Sequence, residues 1–332
     1  TFEKIIVRNT MTALQPLFTV AMVTYNSSKW VQQAIESVLS SSFKEFELII
    51  SDDYSTDETW NLIQSYKDPR IRKWQNPQNL GEYPNRNKVI REAKGAYILF
   101  VDGDDILYRH SLRNLSEFVD AFPEAGMVWG LNPQHFPFYV FPYLVQPVEN
   151  IKLIYQTIIP ISTIGFGEML FKTEVLKNNG GMPEQYIIGD TYIKKMLALV
   201  TPVLFVPIGF MFWRQSDEQA SKKYDNKLTT FLERVSIDNQ ILKHPAFPLT
   251  GEEKKTIVQN VRIGIVKLYF TFTLLKGDLI AFINLRQKVG LSLKDCMLLF
   301  KKGNYQYKPS PFLGEPRINN FNFIQSVNDE SA

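Results

Sequence analysis

Ala96-Tyr97-Ile98-Leu99-Phe100-Val101-Asp102-Gly103-Asp104-Asp105 runs from an apolar strand straight into three carboxylates. Tyr97 to Val101 has the composition of a parallel strand covered on both faces. In an open α/β sheet, ligands lie beyond the carboxyl ends of the strands, so Asp102, Asp104 and Asp105 fall where a site belongs. Carboxylates this close repel one another unless a hard cation neutralises them. Mg²⁺ or Mn²⁺ held by one or two of them commonly carries substrate phosphates as well. An Asp-Gly turn followed by a helix N-cap would read the same way, because Asp favours both positions. A lone D-x-D therefore carries little by itself, and its surroundings decide its meaning.

Outward from this strand, the chain alternates strands and helices. Leu17 to Val23 is a β-branched and aromatic run ending at Thr24-Tyr25-Asn26, after which Ser27 or Ser28 is placed to cap a helix with Val31, Ala34, Ile35, Val38 and Leu39 at helical spacing. Phe46 to Ile50 is the second strand and ends in Ser51-Asp52-Asp53, with the next helix beginning at Ser55 to Asp57. Ile71 to Trp74 reads as a third strand, Asn79-Leu80-Gly81 as a turn, and Asn85 to Lys94 as a helix closed by Gly95. Such alternation predicts a mainly parallel sheet with right-handed crossovers, an α/β class suited to nucleotides. Neither G-x-G-x-x-G after the first strand nor G-x-x-x-x-G-K-[ST] anywhere is present, which removes support for the dinucleotide and P-loop folds.

The second half differs in character. Phe136 to Pro147 packs aromatics between Pro137, Pro142 and Pro147, which suits neither a helix nor a central strand. It reads as a hydrophobic crossover loop, with an aromatic rim for a sugar ring or lipid tail as the alternative. Val203 to Trp213, interrupted by Pro207 and Gly209, reads as two strands joined by a turn. From Asn226 to about Lys302 the pattern is helical; Leu291 to Lys302, with Lys294, Lys301 and Lys302 on one side, fits a packed helix or an interfacial one. Beyond Pro311 the chain reads as an extended tail.

Composition sets the outer bounds. The 332 residues suffice for one large domain and a smaller one. A net charge of +3 with no dense basic run argues against a nucleic-acid partner. The single cysteine, Cys296, excludes an internal disulfide framework and points to a reducing, cytoplasmic setting. His110, His135 and His244 lie too far apart in sequence to suggest a His-rich zinc site. Thr1 to Gln15 has no signal-peptide core, and no segment reaches the roughly 18 apolar residues a membrane span requires.

Two strands thus deliver acids to one sheet edge, at Asp52-Asp53 and at Asp102 to Asp105. Over roughly Leu17 to Ser221 this resembles the family 2 glycosyltransferases of the GT-A fold. The matching pieces are Val20 to Asn26, Ile49-Ile50-Ser51-Asp52-Asp53-Tyr54-Ser55-Thr56-Asp57, Asn79-Leu80-Gly81 with Arg86-Asn87, and Phe100-Val101-Asp102-Gly103-Asp104-Asp105, in the family's order and spacing. The family usually has Pro where this chain has Val23 and Gly where it has Tyr54.

The resemblance implies an organisation and a chemistry. Residues 1–16 would be an N-terminal extension, 17–221 the GT-A catalytic domain (17–105 for the nucleotide, 106–221 for the acceptor), and 222–332 a helical subdomain with its tail. The activity implied is inverting transfer from a nucleoside diphosphate sugar, a UDP-sugar favoured, to a carbohydrate or lipid-linked acceptor, as in surface polysaccharide synthesis at the inner membrane face. Asp53 would accept a hydrogen bond from the base, since a carboxylate accepts and does not donate. Tyr25 would lie near the base and Arg86 would contact the nucleotide. Asp104 would ligate Mn²⁺ or Mg²⁺, with Asp102 on the ribose or the metal shell and Gly103 between them. Asp190, in Gly189-Asp190-Thr191 where the family often has Glu-Asp, would be the general base, with Glu168 in reserve; a helix N-cap is the plainer reading of Asp190. Arg214, in Trp213-Arg214-Gln215-Ser216 and ahead of Gln219 and Ser221, would bind the diphosphate. A nucleotidyltransferase would need a Gly-rich, Arg-containing loop after the first strand, which Val23 to Ser27 lacks; a non-catalytic binding module of the same fold is the remaining alternative.

Overall fold

The computed structural model describes residues 15–131, 141–156, 165–215 and 227–274, with 292, 295, 297 and 298. In chain order the elements begin β1 (Phe18–Thr24), α1 (Val31–Leu39), β2 (Phe46–Asp52), α2 (Thr59–Ser65), β3 (Ile71–Gln75), α3 (Glu82–Glu92), β4 (Tyr97–Phe100), β5 (Ile106–Leu107) and α4 (Ser111–Ala121). There follow β6 (Met127–Gly130), β7 (Tyr143–Val145), α5 (Pro147–Gln156), β8 (Met169–Lys172), α6 (Thr173–Asn178), α7 (Gly189–Val200), β9 (Val203–Val206) and β10 (Met211–Phe212). Two helices, Lys227–Lys243 and Gly251–Leu274, are the last described elements. Residues 132–140 of the aromatic segment, 216–226, most of the expected Leu291–Lys302 helix and the tail lie outside the described residues.

Contacts divide the chain into two units. The first takes 1–117 together with 169–181 and 210–214, and the second takes the remainder. In the first unit the strand order is β3-β2-β1-β4-β8. The first four strands run parallel and β8 runs antiparallel to β4. β1 and β2 pair from Phe18↔Phe46 to Thr24↔Asp52, so both strands end at one level. Every residue of β2 is buried, including Asp52. The apolar content that burial on both faces demands is what made this strand readable in the sequence. Helix α1 turns Val31, Ala34, Ile35 and Val38 inward, the spacing expected of an amphipathic helix. In the second unit β9 lies between parallel β6 and antiparallel β7. A separate core there joins Ile151 and Tyr155 of α5, Tyr186 and Leu199, and Ile237, Ile241 and Ile257 of the two last helices. No described helix is long and apolar enough to cross a membrane.

Several boundaries differ from the sequence expectation, each for a local reason. Neither Ser27 nor Ser28 caps α1, whose N-cap is Trp30 without a side-chain bond. The two serine amides are instead donated to Thr59 Oγ1 (2.7 Å) and Asp57 Oδ2 (3.1 Å), which ties the β1 loop to the β2 loop. Helix α2 starts at Thr59 and not at Ser55–Asp57, because side chains capture the intervening amides. Ser55 N donates to Asp52 Oδ2 (3.0 Å), Thr56 N to Asn26 Oδ1 (2.9 Å) and Thr59 N to Asp57 Oδ1 (3.0 Å). Helix α3 starts earlier than Asn85. Pro84 sits in its first turn, where a missing N–H leaves no helical bond unmade, and Asn85 N makes the first bond back to Gly81 O (3.1 Å). It also ends before Gly95, which is required for another reason: a Cβ there would stand 2.2 Å from the Thr19 amide nitrogen.

Candidate nucleotide-sugar site

Asp53, first beyond β2, is 4% exposed and anchors the loop opposite. Its Oδ1 accepts from Leu80 N (2.9 Å) and Asn76 Nδ2 (2.9 Å), and its Oδ2 from Gly81 N (2.9 Å). Among the described residues one acceptor position therefore remains on Oδ2. Asp52 is different. Thr24 Oγ1, Ser55 Oγ, Ser55 N and Gln75 Nε2 all donate to it, so its lone pairs are consumed and its role is structural. Behind Asp53, Asn76 Nδ2 also donates to Asn85 Oδ1 (2.9 Å), and Lys88 Nζ donates to Asn76 Oδ1 (2.8 Å). Asn76 and Asn85 escaped the sequence reading because nothing in a lone Asn distinguishes a loop residue from a buried network member.

Beyond β4 the carboxylates take three distinct environments. Asp102 Oδ2 accepts from Arg86 Nη2 at 2.8 Å, while its Oδ1 is buried with no hydrogen-bond donor among the described residues. Arg86 is itself 3% exposed, paired with Glu82 at 3.1 Å and set over the Phe100 ring. Burial alone would lower the Arg86 guanidinium, but the Asp102 and Glu82 carboxylates hold it well above its ordinary value. Asp104 is pushed up to about 6 by burial and by the Asp102 charge. Asp105 is buried, and burial and Asp102 push it up to about 7 although the Arg214 amide donates to its Oδ1 at 3.0 Å. Gly103 is required between them, since a Cβ there would stand 2.6 Å from Thr24 Cγ2.

Arg214 is drawn to this loop. Its Nε donates to Asp104 O (2.8 Å), its Nη2 to Gln33 Oε1 (3.0 Å), and its guanidinium lies 3.9 Å from the Trp30 ring centre. Tyr25 is half-exposed just beyond β1. Asp53, Tyr25, Arg86, Asp102, Gly103, Asp104 and Arg214 thus all belong to the first unit.

Asp190 and Glu168 belong to the second. Asp190 is not the N-cap of α7. That position is Ile188, and Asp190 stands in the first turn. The cap is provided from the helix Lys227–Lys243, where the Glu233 carboxylate accepts from the Ile187 and Ile188 amides (2.9–3.0 Å). Asp190 is left half-buried at the positive end of the helix dipole. Lys194, one turn on and buried, is lowered to about 8 by burial, with the Asp190 charge opposing that shift. Glu168 ends a short 3₁₀ turn, Phe166–Glu168.

No three Asp, Glu, His or Cys side chains among the described residues converge as a metal cluster. The donor set suits a cation shared with a ligand's phosphates, because Asp102 Oδ1 is buried without a donor and Asp104 is crowded by a like charge.

A mainly parallel sheet with acids at its carboxyl edge defines an open α/β protein whose ligand site lies at that edge. Residues 19–180, just under half of the chain, match the model described as glycosyl transferase family 2. Over 105 residues it is 36% identical to the Escherichia coli UDP-Glc:alpha-D-GlcNAc-diphosphoundecaprenol beta-1,3-glucosyltransferase WfaP, covering 32% of this chain and 42% of that protein. Over 171 residues it is 28% identical to the Staphylococcus aureus poly(ribitol-phosphate) beta-N-acetylglucosaminyltransferase TarS, covering 49% of this chain and 28% of that one. The chain thus spans under half the length of these relatives. The crystal structure of S. aureus TarS 1–349 in complex with UDP-GlcNAc superposes with a TM-score of 0.62 at 21% identity, covering 82% of this chain and 80% of that one, a likeness of fold.

Proposed function

We propose that this chain is an inverting, metal-dependent glycosyltransferase that takes a sugar from a nucleoside diphosphate sugar, a UDP-sugar favoured, and passes it to a carbohydrate or lipid-linked acceptor. The observation that carries the reading is the carboxylate set beyond β4: Asp102 paired with a buried Arg86 yet keeping a buried oxygen with no donor among the described residues, beside an Asp104 whose ionisation burial and the Asp102 charge oppose. The relatives' own names, one a UDP-glucose enzyme and one an N-acetylglucosaminyltransferase of a polymer, support a nucleotide-sugar donor and a glycan or lipid-linked acceptor. Residues 17–221 form the catalytic part in this reading, 222–332 an appended helical part, and the setting is the cytoplasm at the inner face of a membrane.

Each residue then has a task. The remaining acceptor position of Asp53 takes the N–H of the base, beside Tyr25. Arg86 fixes the Asp102 carboxylate, and Asp102 and Asp104 would hold Mn²⁺ or Mg²⁺, whose charge would offset that of a diphosphate. Arg214, bound to the Asp104 carbonyl, holds that loop and adds positive charge beside the phosphates. Asp190 takes the proton from the acceptor hydroxyl as that oxygen attacks the anomeric carbon opposite the diphosphate.

The test uses UDP release from UDP-glucose and UDP-GlcNAc with Mn²⁺. Wild type should release UDP slowly without acceptor and faster with a polyprenyl-diphosphate-linked glycan. Asp190→Asn should keep UDP binding and lose at least 10²-fold in acceptor-stimulated release, the scale of a general base. Near-normal stimulated release by Asp190→Asn would remove the base assignment. Tight UDP-sugar binding without any turnover would favour the binding module.

A further inference from the structure

Tyr54 has a left-handed backbone (φ 65°), a conformation that suits Gly or Asn and strains an aromatic residue. The reason the backbone turns there is plain. Ser55 N and Ser55 Oγ both donate to the Asp52 carboxylate, which closes a turn over Asp52–Ser55. The turn needs no side chain at Tyr54, and the ring is half-exposed, with no hydrogen bond or ring partner among the described residues. A large, half-exposed aromatic side chain on a left-handed backbone is unfavourable for the free protein.

Its neighbour is Tyr25, equally exposed and equally without a side-chain partner among the described residues. The two loops that carry them are laced together on both sides of each ring. Asp53 N donates to Thr24 O (2.8 Å), Asn26 N to Ser55 Oγ (2.9 Å) and Thr56 N to Asn26 Oδ1 (2.9 Å). Asn26 is also left-handed (φ 50°). Tyr25 and Tyr54 therefore stand on two joined loops at the carboxyl ends of paired strands, with Tyr54 next in sequence to Asp53.

We propose that Tyr54 is a specificity-determining residue of the donor site, forming with Tyr25 an aromatic wall against which the nucleobase packs. Every base has a π-face, so the wall supplies binding strength while the Asp53 acceptor selects the base edge. This inference rests on the reading that the Asp53 pocket takes the base of the donor.

The experiment measures UDP, UMP and inorganic pyrophosphate binding by calorimetry with Mn²⁺ present, on wild type and on Tyr54→Gly, Tyr54→Asn and Tyr54→Phe, alongside the melting temperature of each free protein. Tyr54→Gly and Tyr54→Asn should melt no lower than wild type, because both residues accept the left-handed backbone. Both should bind UDP and UMP about 10-fold or more weakly, in the range of one base–aromatic contact, with pyrophosphate unchanged. Tyr54→Phe should bind as wild type does. Undiminished UDP and UMP binding by Tyr54→Gly and Tyr54→Asn overturns the inference and leaves the donor-site reading intact. An equal loss of pyrophosphate binding also overturns it. Failure of wild type to bind UDP, UMP or their guanine, cytosine and thymine counterparts overturns both.

Discussion

Asp104 and Asp105 stand at about 6 and about 7 because burial and the Asp102 charge oppose their ionisation. In the unfolded chain both would ionise near 4, so between about pH 4 and 7 the folded protein holds more protons than the unfolded one. Stability of the free protein should therefore fall as pH rises through this window, the reverse of a salt-bridged carboxylate. Urea melts at pH 5 and pH 7.5 check the sign, with the mid-point lower at pH 7.5. Asp105→Asn keeps an oxygen for the Arg214 amide and removes the charge, so its pH slope should be shallower. A stability that rises with pH, or a slope the substitution leaves alone, contradicts this account of the acids. At this scale the sequence was a partial guide. The placement of Asp53 and Asp104 beyond strand ends was legible from the apolar runs that precede them. That Asp52 has no acceptor position to spare was not, since it depends on Thr24, Ser55 and Gln75 converging from three segments.

Strand ends and the loops after them do most of the positioning. β2 and β4 were evident from their apolar runs, and the level ending of β1 and β2 places the residues that follow at one edge. Helix starts were less legible. Side chains of Asp52, Asp57 and Asn26 compete for the amides that would begin α2, and such a contest is decided by distant partners rather than by local sequence. The cap of α7 shows the same limit, as Glu233 provides it from a helix more than forty residues away in sequence. The loop after β4 is tight against β1: Gly103 N donates to Val23 O at 3.2 Å, with no room for a side chain. Gly103→Ala should lower stability by about 1–3 kcal/mol, the range for overpacking a filled site, and should weaken Mn²⁺-dependent UDP binding. Denaturant titration reads the first effect and calorimetry the second. A variant with wild-type values in both would show that the loop has slack.

Across the whole molecule, the donor-side residues of the first unit come from 15–117 and from the returning segment 210–214, while Asp190 and the helices beyond 226 lie in the second unit. The alternation of strand and helix made the α/β class legible. The return of Arg214 to Asp104 was not, since a contact across so many residues leaves no periodic trace. The central claim is that the edge of β1, β2 and β4 binds a nucleotide through Asp53 and a cation through Asp104. It is tested most directly by the thermal shift of the full chain with UDP, with and without Mn²⁺, in wild type and Asp104→Ala. At about 100 times its dissociation constant, one bound ligand adds about 2.7 kcal/mol. The account predicts a Mn²⁺-dependent rise in melting temperature with UDP in wild type, and none in Asp104→Ala, whose own melting temperature stays near wild type. An equal rise in both proteins, or none in wild type with UDP or any other nucleoside diphosphate, would contradict it.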